Sequence, residues 1–137
     1  MKPAVIAYVG LGGNVGAVSD TLRQATRLLD RLPGTTVRSA SHLYSTPAWG
    51  LELQADFVNG VVELETTLSP QPLLQSLLRI ELDFGRDRDA GLRWGPRTLD
   101  LDLLLNADLV LDETGLRLPH PHLHERAFAL VPLLEIA

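Results

Sequence analysis

The chain has 137 residues, 45% of them hydrophobic, no cysteine and a net charge of −5. That length suits one domain burying roughly two thirds of its unfolded surface; the composition excludes disulfides and thiolate sites and argues against broad nucleic-acid affinity. No apolar run approaches the ~20 residues of a membrane span, and Met1-Lys2-Pro3 leads into a strand without a charged-then-apolar leader, so a cytoplasmic protein is expected.

Ala4–Val9 is a short apolar run that reads as a buried strand, followed by Gly10-Leu11-Gly12-Gly13-Asn14-Val15-Gly16, which reads as a tight turn into a helix. The glycines do not make a dinucleotide fingerprint, because the third falls at Gly16, one place late, and no Gly-Lys-Ser/Thr is present. Val18, Leu22, Ala25, Leu29 and Leu32 step by three and four, marking an amphipathic helix stopped by Pro33-Gly34. Thr35–Tyr44 reads as a second strand. Thr46-Pro47-Ala48-Trp49-Gly50 is a loop whose indole either caps the core or lies over a flat ligand.

Phe57–Thr66 alternates as a third strand, with Val58, Val62 and Leu64 on the core face and Phe57, Asn59 and Val61 on the other. An aromatic and an amide two residues apart on one face can stack against and hydrogen-bond a heteroaromatic ring. Ser69-Pro70 opens a second helix, with Ser69 as N-cap. Leu73, Leu74, Leu77, Leu78, Ile80 and Leu82 form its apolar stripe, Glu81 reads as solvated, and Gly85 ends it. Arg86–Leu92 is a charged loop in which Arg86 and Arg88 interleave with Asp87 and Asp89.

Next comes Arg93-Trp94-Gly95-Pro96-Arg97-Thr98-Leu99-Asp100-Leu101-Asp102. Leu99–Leu105 alternates as a strand, which puts Leu99, Leu101 and Leu103 on one face and Asp100 and Asp102 on the other. Two uncompensated carboxylates ~4 Å apart at an effective dielectric near 20 repel by about 4 kcal/mol. A divalent cation relieves this, and hard oxygen ligands suit Mg²⁺. Lys2 is the only lysine, whereas five arginines fall between Arg79 and Arg97. Guanidinium groups suit bidentate phosphate contacts, and the lack of an internal lysine excludes a Walker lysine or a Schiff base. Acids for a metal, arginines for phosphate and a flat indole within ten residues look like a nucleotide site.

Asn106-Ala107-Asp108 turns the chain into a short Leu109–Leu111 strand. His120, His122 and His124 alternate, but Pro119 and Pro121 impose an irregular backbone and no convincing further ligand is near, so zinc is not expected. Phe128–Ile136 reads as an apolar helix broken or restarted near Pro132. The order strand, helix, strand, strand, helix, strand is that of a ferredoxin-like α+β sandwich, βαββαβ, with helices on one face of an antiparallel sheet plus extra short C-terminal elements.

Arg93–Asp102 closely resembles the signature of the 6-hydroxymethyl-7,8-dihydropterin pyrophosphokinases of folate biosynthesis, and the likeness extends along nearly all of residues 1–137, read as a single pyrophosphokinase domain. The resemblance implies transfer of pyrophosphate from the co-substrate ATP to the hydroxymethyl group of the reduced pterin, releasing AMP. It implies two Mg²⁺ ions on Asp100 and Asp102, with Arg86 and Arg97 joining these acids as catalytic residues. Glu81, Arg88, Arg97, His120 and Arg126 are implied at ATP. Thr46, Pro47, Trp49, Phe57, Asn59, Trp94 and Phe128 are implied around the pterin. Arg86–Leu92 becomes a phosphate-grasping lid, and Gly12-Gly13-Asn14 matches the family's Gly-x-Asn after the first strand. Small-molecule partners are expected, with no nucleic acid, membrane or obligate protein partner.

Departures from the family pattern lie at Pro121, Gly115 and Arg117, and the run ends at Ala137 where members usually continue. A ferredoxin-like module that binds without catalysis is the alternative. The Asp100/Asp102 pair with Arg97 speaks against it, because such a module needs neither.

Overall fold

Alternating apolar residues build the central strands, and the computed structural model describes residues 3–46, 56–85, 98–113, 115–121 and 127–137, the side chains at 46, 127 and 128 excepted. Strands β1 (Val5–Gly13), β2 (Thr35–Ala40), β3 (Tyr44–Thr46), β4 (Phe57–Thr66) and β5 (Asp100–Asn106) form one sheet. Its order is β2-β4-β1-β5, with β3 also on β4, and each pairing is antiparallel. Helices α1 (Val18–Asp30) and α2 (Pro70–Asp83) follow β1 and β4. Beyond β5 come a hairpin, β6 (Leu111–Glu113) and β7 (Leu116–Leu118), and helix α3 (Ala127–Ile136). The architecture is α+β.

One face of the sheet buries Ala7, Val9, Leu11, Val62, Leu64, Leu101 and Leu103 under Leu22, Ala25 and Leu29 of α1 and Leu73, Leu77 and Ile80 of α2. Each large aliphatic side chain removed from water contributes about 1.5–3 kcal/mol, so the stripes read from the sequence dock both helices here. Ser69 has the extended backbone of an N-cap, Pro70 opens α2, and Gly85 follows its end at φ +82°, where glycine carries no Cβ penalty. The opposite face buries Val61 and Leu104 under Ala129 and Leu133 of α3. The expected sharing of one face by the helices therefore holds for α1 and α2 but not for α3.

Several expectations are corrected. Gly10, Gly12 and Gly13 belong to β1, paired with β4, and only Gly16 takes a positive φ, +74°, so the turn is later and shorter. Thr35–Tyr44 is not one strand. Val37 donates its N–H to Asp30 Oδ1 at 2.8 Å, the register slips between Val37 and Ser39, and a corner at Ser41–Leu43 separates β2 from β3. The short strand is Leu111–Glu113, and its partner Leu116–Leu118 was not anticipated. Leu82 lies off the apolar stripe, 66% exposed. Pro132 sits inside α3 without breaking it. Its fixed φ is helical, one hydrogen bond is forgone, and burial of Ala129 and Leu133 keeps the turn packed.

Candidate active site

On β1, Gly12 lies opposite Asn59 of β4 on one side and Asp100 of β5 on the other, and Gly10 likewise lies between Val61 and Asp102. Directly opposed residues in an antiparallel ladder project to the same face. Asn59, Asp100 and Asp102 therefore share the α3 side of the sheet. A Cβ at Gly12 would come 2.5 Å from Asn59 Oδ1, so glycine is what lets the buried Asn59 amide lie over β1. Strand spacing puts Asn59 and Asp100 about 10 Å apart.

Leu99, Leu101 and Leu103 are buried in the core, as the alternation required, and Asp100 and Asp102 are half-buried on the other face. Behind them stands Glu81. It is 1% exposed and accepts the Leu101 N–H at 2.7 Å, which corrects the reading of a solvated carboxylate. Leu101 is the residue between the two acids, so α2 pins the strand that presents them.

The β6–β7 hairpin delivers the third group. His120 donates its backbone N–H to the Leu104 carbonyl at 2.9 Å. Its Nε2 then stands 3.8 Å from Asp102 Oδ1, within ion-pair range for a protonated ring but beyond a hydrogen bond. Asp102 and His120 open onto a cleft of about 680 Å³, with Leu74 and Leu78 of α2 as its apolar wall and Arg117 on its rim. That size suits a small-molecule ligand. Arg117 pairs with Asp112 at 3.1 Å, but both side chains are exposed, so the pair adds little stability.

Among the described residues no group of three or more His, Cys, Asp or Glu side chains is placed to hold a metal. Mg²⁺ does not need one: it is commonly held by one or two carboxylates, with water and phosphate oxygens completing the octahedron. Two carboxylates on one strand face beside a cleft fit that requirement.

On the other flank, Phe57 is half-buried and Asn59 buried on β4, and Thr46 pairs with Phe57 at the end of β3. Phe128 lies in the first turn of α3. Asp100, Asp102 and His120 are thus gathered at one end of the sheet, Phe57 and Asn59 across β1 from them. Pro47, Trp49, Arg86, Arg88, Trp94, Arg97 and Arg126 lie outside the described residues. Sequence reasoning missed Gly12, whose role depends on two cross-strand neighbours. It also missed Glu135, whose Oε1 accepts the Tyr44 hydroxyl at 2.6 Å.

Comparison with known proteins identifies the family. The family model described as 7,8-dihydro-6-hydroxymethylpterin-pyrophosphokinase matches residues 8–137. Proteins named 2-amino-4-hydroxy-6-hydroxymethyldihydropteridine pyrophosphokinase from Synechocystis sp., Pseudomonas aeruginosa and Bacillus subtilis are 49%, 46% and 45% identical to it. The matches cover 96%, 95% and 96% of this chain, and 66%, 79% and 77% of those proteins, so the chain spans just under two thirds of the Synechocystis relative. The chain belongs to the 7,8-dihydro-6-hydroxymethylpterin-pyrophosphokinase family.

Proposed function

We propose that this chain transfers a pyrophosphoryl group from ATP to the hydroxymethyl oxygen of 6-hydroxymethyl-7,8-dihydropterin, releasing AMP, as a cytoplasmic enzyme of folate biosynthesis. The observation that carries the reading is the row Asn59, Gly12, Asp100 across three strands. It sets an amide suited to a heterocycle's polar edge about 10 Å from a carboxylate suited to a phosphate-bound cation. The pterin and the pyrophosphokinase in the relatives' names support it.

The hydroxyl oxygen attacks the β-phosphorus in line. The bond from that phosphorus to the α–β bridging oxygen breaks, the hydroxyl proton passes to solvent, and AMP leaves with the bridging oxygen. Phe57, Asn59, Phe128, Trp49, Pro47 and the backbone near Thr46 clamp the pterin, and Trp94 helps close the site. Arg97, Arg86, Arg88, His120 and Arg126 offset phosphate charge as it shifts toward the leaving oxygen. Glu81 serves the nucleotide side by fixing Leu101 between the two acids. Asp100 and Asp102 would hold magnesium, two ions by the resemblance, which when bound supplies charge neutralisation and lowers the hydroxyl's pKa.

Residues 1–137 act in this reading as one ferredoxin-like domain. The strand order β2-β4-β1-β5, with helices after β1 and β4, supports that arrangement. The partners are the two small-molecule substrates. The test is to mix protein, Mg-ATP and the reduced pterin and to quantify nucleotides. AMP formed in step with pterin pyrophosphate is expected. ADP as sole product would overturn the reading in favour of an ordinary kinase, and bound ATP without turnover in favour of a non-catalytic module.

A further inference from the structure

The carboxylate of Glu135, in the last turn of α3, gathers three donors from one short segment far away in the chain. Oε1 accepts the Tyr44 hydroxyl at 2.6 Å, both oxygens lie 3.1 Å from the His42 backbone N–H, and Oε2 lies 2.8 Å from His42 Nδ1. An acidic side chain at a helix C-terminus opposes the macrodipole, so the local preference is against glutamate here. The apolar anchors at this end are Pro132 and Leu133, both buried, and Ile136, half-buried against the same cluster, whereas Val131 and Leu134 are 49% and 74% exposed.

The segment that Glu135 holds is the corner between β2 and β3. It is already fitted to β4 on its other side. Ser41 donates its N–H to the Val61 carbonyl, and its hydroxyl accepts the Val61 N–H and donates to the His42 carbonyl. A Cβ at Gly60 would meet Leu43 at 2.9 Å, so the corner nests where β4 has no side chain. From this corner β3 runs on, with Tyr44 opposite Asn59 and Thr46 opposite Phe57.

We propose that Glu135 is a positioning residue for the pterin pocket. By tying Tyr44 and the His42 backbone to the end of α3, it fixes the strand that delivers Thr46 against the helix that carries Phe128. Phe128 and Glu135 are seven residues apart, about 10 Å along the helix. One polar clasp thus sets the spacing of two pocket walls without touching the ligand. The inference rests on the pterin reading given above. The Tyr44 hydroxyl, with the His42 donors behind it, holds the Glu135 carboxyl below the usual carboxylate range although desolvation opposes this, which is the mark of a carboxylate held charged by donors.

The experiment measures dissociation constants of a pterin substrate analogue and, separately, of a non-hydrolysable Mg-ATP analogue in wild type and variants, with folding checked by circular dichroism. Glu135→Ala is expected to weaken pterin binding about tenfold, the scale of one hydrogen bond to a charged group, with the nucleotide constant changed less than about twofold. Glu135→Gln, which can still accept from Tyr44, should recover most of the loss. Unchanged pterin affinity in Glu135→Ala, or equal losses for both ligands, would overturn the proposal. If Glu135→Ala does not fold, Tyr44→Phe decides: a threefold or greater loss confined to the pterin supports the clasp, and wild-type affinity overturns it. A wild type that binds no pterin would overturn the functional reading itself and the proposal with it, an outcome distinct from a wild type that binds and variants that do not differ.

Discussion

The Glu81 carboxylate of α2 accepts the backbone N–H of Leu101 at 2.7 Å, midway between the two acids of β5. β5 is an edge strand of the sheet, and a carboxylate from the neighbouring helix covers that edge where Leu101 presents its amide. A buried amide that loses its acceptor costs about 1–3 kcal/mol. Glu81→Ala is therefore expected to lower unfolding free energy by that amount and to weaken Mg-ATP binding, because Asp100 and Asp102 lose a fixed backbone. Chemical denaturation and nucleotide titration check both. Wild-type nucleotide affinity in a destabilised variant would confine Glu81 to folding.

Gly12 gives a prediction of the opposite kind, large in function and small in stability. The atom that a new Cβ would meet at 2.5 Å is the tip of a flexible side chain, while the nearest backbone atom, the Val58 carbonyl oxygen, is at 3.5 Å. Gly12→Ala should displace the Asn59 amide at a stability cost near that of a ~30° off-rotamer side chain, about 0.5–1.5 kcal/mol. If Asn59 bonds the pterin edge, KM for the pterin rises about tenfold, the equivalent of one hydrogen bond. Steady-state kinetics with each substrate varied in turn reads this, and an unchanged KM would remove Asn59 from the pterin site.

The pH dependence of the Tyr44–Glu135 contact has a definite sign. Glu135 has its folded pKa lowered from 4.5, so its contribution is fully present above 4.5 and fades as pH falls through the lower folded value. Tyr44 has its folded pKa raised from 10.0, first by the bond to Glu135, so its contribution is full below 10.0 and is lost as pH rises through the raised value. The difference in melting temperature between wild type and Tyr44→Phe should be flat between those limits and shrink on both sides. A difference that grows in acid would contradict the assignment.

Much of this was legible because the informative patterns are local. The β4 limits Phe57–Thr66 and the split of its faces follow from ten alternating residues, and the α1 stripe from four helical steps. Asp100 and Asp102 fell on the expected face for the same reason. What was missed depends on partners distant in the chain. Glu81 finds its amide 20 residues away and Glu135 its hydroxyl 91 residues away, and no window around either residue contains the other half. Gly10–Gly13 reads as a turn because glycine is the commonest turn signal, yet here it is strand, and Gly12 makes room for the Asn59 amide. β6 and β7 are three residues each, too short for a period of two to declare itself.

Ala107 adopts φ +51° in the turn after β5, while its N–H donates to the Ile6 carbonyl at 2.7 Å. A residue with a Cβ is strained there by about 1–2 kcal/mol, and glycine is not. Ala107→Gly keeps the backbone bond and should raise stability by about 1 kcal/mol after its greater unfolded-state entropy is subtracted. Denaturant melts measure the gain, and turnover should be unaffected because the turn is at the end of β5 away from Asp100. A loss of stability would mean that the methyl group packs more than the strain costs.

The acids of β5 provide the sharpest separation of chemistry from folding. Asp100 and Asp102 project away from the core that Leu99, Leu101 and Leu103 build, so neither is needed for packing. Asp100→Asn and Asp102→Asn keep side-chain shape and remove the charge a divalent cation requires. Each is expected to leave the melting temperature within a few degrees of wild type, while AMP formation falls by at least 10³-fold, about 4 kcal/mol of lost transition-state stabilisation. Magnesium or manganese titration of the variants, read without substrate turnover, separates a lost cation from a lost fold. Activity retained in both variants would remove the cation from β5.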